Sequence, residues 1–266
     1  MLLKLSHKRF GRLNMELKAL FKLSPAAAIK YFKGKENKLS WDWYELWQDA
    51  HKKSFTVAKA MREDVLKDIR SALEKALEDG QTFQSFQKEL KPTLQKKGWW
   101  GEQFIGDSRG NIEKVQLGSM YRLKTIYSVN MQTAYQTGRY KTQIDNADNR
   151  PYWEYVSVLD QRTRPEHAQL SGLVFRYDDP FWNSFYPPNG WRCRCRVRAL
   201  ADYNLKEKKL SVDDSGGRLS EEKQLVSKKS GKYMPVTVYT DPLTGKKIAP
   251  DIGWSHNPAN GLVKKN

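Results

Sequence analysis

Polar and apolar positions change rhythm twice along this chain. From residue 24 to 148 the apolar side chains recur at three- and four-residue steps, the period of one helix face. SPAAAIKYFKGK (24–35) reads as a short helix capped by Ser24, with Pro25 in its first turn and Gly34 at its end. In SWDWYELWQDAHKKSFTVAKAM, Ser40 is a suitable N-cap, and Trp43, Trp47, Ala50, Ser54, Val57 and Met61 mark one face. Val65, Ile69, Leu73 and Leu77 continue the pattern to Gly80, a helix-terminating position. The spacing thus predicts one long helix, or two with a bend. Thr82 opens a further helix with Phe83, Phe86 and Leu90 inward, expected to close near Pro92. GWWG (98–101) reads as a turn. Across 116–144, Leu123, Ile126, Tyr127, Asn130, Met131, Ala134 and Tyr135 line the face of another helix.

After residue 148 the rhythm shortens. YWEYVSVLD (152–160) is aromatic and β-branched, a strand pattern. A loop and a short helix bearing His167 follow, then a strand at LVFRYDDP and an aromatic, proline-rich loop. In WRCRCRVR (191–198) Arg192, Arg194, Arg196 and Arg198 alternate with Trp191, Cys193, Cys195 and Val197. A strand here would set guanidiniums on one face and sulfur, indole and valine on the other. From 203 periodicity fades into Lys, Ser and Gly, with a strand signal only at VTVYT. The expected organisation is therefore a basic leader (1–23), a helical domain (24–148), a small α+β module (149–202), and a linker with an extended C-terminal arm (203–266). The fold class is α+β.

Charge narrows the choice of partners. The net charge is +17. Residues 1–40 carry ten Lys/Arg against two Asp/Glu, and residues 203–266 carry twelve against seven, so the excess sits at the ends. Such ends suit a polyanion such as double-stranded DNA, with Lys228, Lys229 and Lys232 as candidate contacts, or an acidic protein face. The four Arg of 192–198 can grip phosphates as guanidinium forks. They can equally pair with Glu154, Glu166, Asp178 and Asp179 of their own module. No apolar run approaches membrane-spanning length.

Three constellations carry candidate chemistry. Cys193, Cys195 and His167 offer two thiols and an imidazole, the donors zinc favours, with Asp160, Asp178 or another chain as a fourth ligand. Two small buried apolar side chains are the competing reading, which needs no fourth group. Asp160, Arg162, Glu166 and His167 could serve as acid, base and anion clamp in a nuclease-like site. Yet Thr163 and Glu166 also match a capping box, with Pro165 in the first helical turn. The chain has no P-loop, GxGxxG, GxSxG or HExxH. Trp41, Trp43, Trp47, Trp99, Trp100, Trp153, Trp182 and Trp191 could stack bases, but regular aromatic faces serve more often as core or interface.

In order, SPAAAIKYFKGK, SWDWYELWQDAHKKSFTVAKA, GWWG, VNMQTAYQTGRY, LDQRTRPEH…LSGLVF…PFWNSFYPPNGWRCRC and DPLTGKKIAPDIGWSHNPANG resemble the phage Mu F-like minor head proteins, also called the head morphogenesis family. The resemblance runs through residues 24–262 and is most specific over 160–195. Asp160, Arg162 and Thr163 fall on its D-x-R-T element, and His167 on the polar position that follows. Pro187, Pro188, Gly190, Trp191, Cys193, Arg194 and Cys195 fall on its terminal block. It implies a non-enzymatic virion protein of a phage or prophage, made in the host cytoplasm and placed in the head interior or portal region. Portal, scaffold and major capsid proteins are its implied partners, with contact to packaged DNA. It also implies structural roles for Asp160, Thr163, Pro187, Pro188, Gly190 and Trp191. Some relatives carry further cysteines near D-x-R-T, where this chain has Arg164 and His167.

Overall fold

A computed structural model describes residues 25–47, 50–106, 112–228 and 230–260. The basic leader, the Ser24 cap and Lys229 lie outside the described residues. Helix α1 (Pro25–Lys33) turns Ala28 and Phe32 inward. Two short strands, β1 (Glu36–Asn37) and β2 (Ser54–Phe55), pair in parallel and flank a short α2 (Ala50–Lys53). The helix expected from Ser40 to Met61 is therefore absent. Ser40 Oγ lies 2.6 Å from Thr56 Oγ1 instead of capping a helix. The Glu45 carboxylate accepts from the Trp41 and Asp42 amides at 3.0 and 3.1 Å. Side chains that occupy backbone donors in this way hold a segment in turns, and Met61 ends up 46% exposed.

The next helices follow their caps. α3 (Glu63–Asp79) ends at Gly80, whose φ of +64° suits a glycine. α4 (Phe83–Lys96) starts where Thr82 Oγ1 accepts from Ser85 N. It does not close at Pro92 but runs a full turn further. Pro92 is exposed, so water can serve the carbonyl left without its donor, while Leu90 and Leu94 on the other face are buried. Past the GWWG turn, β3 (Glu102–Gly106) and β4 (Ile112–Gln116) form an antiparallel hairpin. α5 (Met120–Asp145) is capped by Ser119. Its first half packs with α1, α3 and α4 around Phe32, Leu66, Ile69, Phe86 and Leu123. Gly138 lets α1 come close, since a Cβ there would sit 3.2 Å from Ala28 N.

A second core lies along the other half of α5. β5 (Tyr152–Val156) is the centre of a three-stranded antiparallel sheet, order β6-β5-β7, with β6 (Val174–Arg176) and β7 (Arg196–Leu200). Between β5 and β6 comes α6 (Pro165–Gln169), and between β6 and β7 comes α7 (Phe181–Phe185), in a stretch read from sequence as loop. Trp153, Phe175, Phe181, Trp182 and Tyr186 pack edge-to-face or stacked in this core.

The segment expected to be a linker and extended arm is folded over its described residues. α8 (Asp202–Lys208) leads to β8 (Leu219–Ser227), β9 (Lys232–Thr240) and β10 (Lys247–Ile248), a sheet of order β10-β9-β8. The VTVYT signal is its central strand, and Tyr239 and Ile248 enter the second core. β8 escaped notice because Glu221, Glu222 and Lys223 follow one another on an exposed edge. No helix among the described residues is long and apolar enough to cross a membrane.

Lys35, between α1 and β1, is 8% exposed, and its Nζ donates to His51 O at 2.7 Å. Burial, aided by repulsion from Arg70, lowers its pKa to about 7. The unfolded chain keeps that proton up to its ordinary value of 10.5. The folded chain therefore binds fewer protons between the two values, and this group makes stability rise with pH across that window. Lys35→Met is expected to raise Tm most below neutral pH, where the buried charge is fully present, with the gain shrinking as pH rises from about 7 toward 10.5. Thermal melts of both proteins at several pH values measure it.

Candidate functional site

The 191–198 strip keeps its alternation of burial but is only partly a strand. Cys193, Cys195 and Val197 are buried; Arg192, Arg194 and Arg196 are half-buried, and Arg198 is exposed. The strand begins at Arg196. Upstream, Arg192 has a φ of +57°, and this turn sends Trp191 outward rather than into the core. Trp191 is 41% exposed and meets Trp43 and Trp254 edge-on.

The arginines do not form one free face. Arg192 crosses to α5, donating to Thr125 Oγ1 at 3.1 Å and lying over the Tyr121 ring at 4.1 Å. Arg194 grips Asp160 with both Nη atoms, at 2.7 and 2.5 Å. That hydrogen-bonded guanidinium holds the Asp160 carboxyl well below the usual carboxylate range. Arg198 pairs with Glu154, its cross-strand neighbour on β5. Internal pairing thus engages Glu154 as the sequence allows, but Arg194 takes Asp160, and Asp178 goes to Arg176.

The sulfur side of the strip meets His167. Imidazole Nδ1 lies 3.6 Å from Cys193 Sγ and 3.5 Å from Cys195 Sγ. All three residues are buried, and their donor atoms lie within 4.8 Å of one another. Burial pushes the Cys193 thiol up, while hydrogen bonding, first from Cys193 and then from His167, draws the Cys195 thiol down. α6 brings His167 here because its carbonyl accepts from Ser157 Oγ at 2.5 Å, just after β5. On the far side of the ring, Nε2 lies 4.0 Å from Asp251 Oδ1, and Asp251 is held by Arg164 at 2.9 Å. Gly190 makes room for Asp251: a Cβ there would fall 2.2 Å from its Oδ2.

α5 supports the strip from behind. Gln132, Gln136 and Gln143 share a helix face by spacing. Gln136 Nε2 donates to Cys195 O at 2.8 Å, Gln132 Nε2 to the same oxygen at 3.3 Å, and Gln143 Nε2 to Val197 O at 3.0 Å. Tyr186 donates in turn to Gln143 Oε1 at 2.7 Å.

Residues 67–198, from α3 to the middle of β7, match the family described as "Phage Mu protein F like protein". The chain is 47% identical over 241 residues to the protein of Escherichia phage Mu named "Putative capsid assembly protein F", covering 90% of this chain and 55% of that protein. It is 42% identical over 221 residues to the "Mu-like prophage FluMu F protein" of Haemophilus influenzae, covering 82% and 52% respectively. This chain belongs to the Phage Mu protein F like family. It spans about half the length of the curated relatives it matches. No solved structure matches it.

Within this Mu F-like chain, the D-x-R-T element forms a side-chain-stabilised turn. Asp160 Oδ1 accepts from Arg162 N at 3.0 Å and from Thr163 Oγ1 at 3.3 Å. The expected capping box is not formed: the α6 N-cap is Arg164, without a side-chain cap, because the Thr163 hydroxyl is already taken by Asp160. The nuclease set does not share a centre. Asp160 faces Arg194, Glu166 is exposed on α6, and His167 faces two sulfurs. Pro187 and Pro188 are buried, lead into Gly190, and are joined by a cis bond. Among the basic candidates, Lys228 is exposed in a turn, and Lys232 sits 5.2 Å from the Tyr44 ring. Asp251 and the glutamine face were missed. The i, i+4, i+11 spacing of Gln132, Gln136 and Gln143 was a readable signal; nothing local marks Asp251.

Gln143→Ala leaves the Val197 carbonyl and the Tyr186 hydroxyl without their partner in a buried place. It is expected to cost about 1–3 kcal/mol, read as a lower midpoint in urea denaturation with an unchanged slope.

Proposed function

We propose that this chain is a head-assembly protein of a bacteriophage or prophage, acting without catalysis and residing in the particle. The observation that carries this reading is its 47% identity, over 90% of its length, to the phage Mu protein whose name states capsid assembly. The finer part of the proposal is that it docks on the portal region of the head interior and meets major capsid and scaffold proteins during assembly in the host cytoplasm.

A cleft of about 1150 Å³ between α5, β2 and the 191–194 turn supports a docking role. Its walls include Trp43, Tyr121, Trp191 and Trp254, with Lys124 and Arg192 among the cationic groups. Aromatic anchors beside arginine are the composition of binding surfaces. Contact with double-stranded DNA is a further part of the proposal. Lys228 and Lys232 supply it more readily than Arg192, Arg194 and Arg198, whose guanidiniums already have partners.

Four experiments test this. Heads purified from an induced lysogen are expected to contain the chain, and a photo-crosslinker replacing Trp191 should capture the portal protein. Infectious particles at full yield after deletion of the gene would sink the head-assembly reading. For DNA, Lys228→Ala with Lys232→Ala is expected to weaken binding and reduce the slope of log affinity against log salt by about one to two units. An unchanged slope removes these lysines from the contact.

A further inference from the structure

The sulfur–imidazole cluster is more than a patch of core. We propose that His167 Nδ1, Cys193 Sγ and Cys195 Sγ form a zinc-class metal site, with Asp251 orienting the imidazole through Nε2 and a solvent molecule as fourth ligand. This inference stands apart from the head-assembly reading and does not need it.

Geometry is the first support. With Zn–S of about 2.3 Å and Zn–N of about 2.0–2.1 Å, a tetrahedral centre requires N···S edges of about 3.6 Å. The two N···S distances are 3.6 and 3.5 Å. The donor set is the second. Two sulfurs and one imidazole nitrogen suit zinc and exclude magnesium and calcium, which take oxygen.

Burial is the third support, because it discriminates the metal from the plain-core reading. His167 is 3% exposed, and Cys193 and Cys195 are 4% and 2% exposed. A simple core residue would leave His167 poorly satisfied, since Nε2 is buried without a hydrogen-bond partner and Nδ1 faces only sulfur. With a metal on Nδ1, the proton goes to Nε2, which faces Asp251 Oδ1 at 4.0 Å. A carboxylate behind a ligating histidine is the usual second partner of such a ring. The missing Cβ of Gly190 is what lets Asp251 occupy that place.

The surroundings also leave room for a fourth ligand. A cavity of about 10 Å³ touches all three ligands and is lined also by Arg162, Thr163, Arg164, Arg192 and Arg194. That volume accepts about one water, the place for the fourth ligand. Asp160 and Asp178, the carboxylates open from sequence, are instead held by Arg194 and Arg176. Such a centre ties α6 to the 191–195 turn and, through Asp251, both to the C-terminal segment.

The test uses the full chain, purified under reducing conditions without chelator. Plasma mass spectrometry is expected to find about one zinc per folded chain. Cobalt(II) exchanged into the wild-type chain should give thiolate-to-metal absorption and the visible bands of a tetrahedral ion. Cys193→Ser together with Cys195→Ser in one chain is expected to abolish the sulfur band. Asp251→Asn keeps all three ligands, so it is expected to retain the band while weakening zinc affinity roughly 10- to 100-fold. A folded wild-type chain that retains no zinc and shows no sulfur band with cobalt overturns the site. Unchanged affinity in Asp251→Asn overturns the role given to Asp251.

Discussion

Two backbone carbonyls, those of Cys195 and Val197, hold this molecule together by the way they are satisfied. β7 is an outer strand of its sheet, so part of its hydrogen-bonding edge lacks a neighbouring strand. α5 covers that edge and offers Gln132, Gln136 and Gln143 to it. A buried carbonyl without a donor is costly, and so is a buried glutamine without an acceptor. Each solves the other's problem only when helix and strand meet in one register. The same helix turns Leu123, Met131 and Ala134 into the first core, so one rigid rod sets the position of the second core against the first.

That register explains the odd sequence of the strip. Cys193, Cys195 and Val197 face inward because the edge of β7 and the turn before it are pinned, and their neighbours must then leave the core. The guanidiniums are not spent on solvent alone. One reaches Tyr121 and Thr125 on α5, one locks the D-x-R-T turn through Asp160, and one pairs across the sheet with Glu154. The strip therefore fastens three separate elements around the cluster of His167, Cys193 and Cys195. Family membership and this geometry bear on different questions. The first supports the head-assembly reading proposed above, and the second describes a small, strongly cross-braced module.

Helices with local signals were legible from sequence: Thr82 and Gly80 act where their chemistry points. The α+β class and the strands at 152–156 and 196–200 were legible for the same local reasons. The failures share a physical cause, which is information held by distant partners. Residues 41–61 carry helical spacing, but Glu45 and the Ser40–Thr56 contact hold the backbone otherwise. Pro92 was read as a stop because its exposure could not be known. β8 looked like linker because its pairing with β9, rather than its own composition, makes it a strand. At the candidate site, the sequence pointed to His167, Cys193 and Cys195 as a group, but not to Asp251, which arrives from the loop three residues after β10.

That late arrival has a consequence during synthesis. The ribosome releases α6 and both thiols well before the codon for Asp251 is read. Asp251 follows Cys195 by 56 residues, so the carboxylate is the last part of the cluster to be made, and the slot that Gly190 leaves is filled only by the final segment.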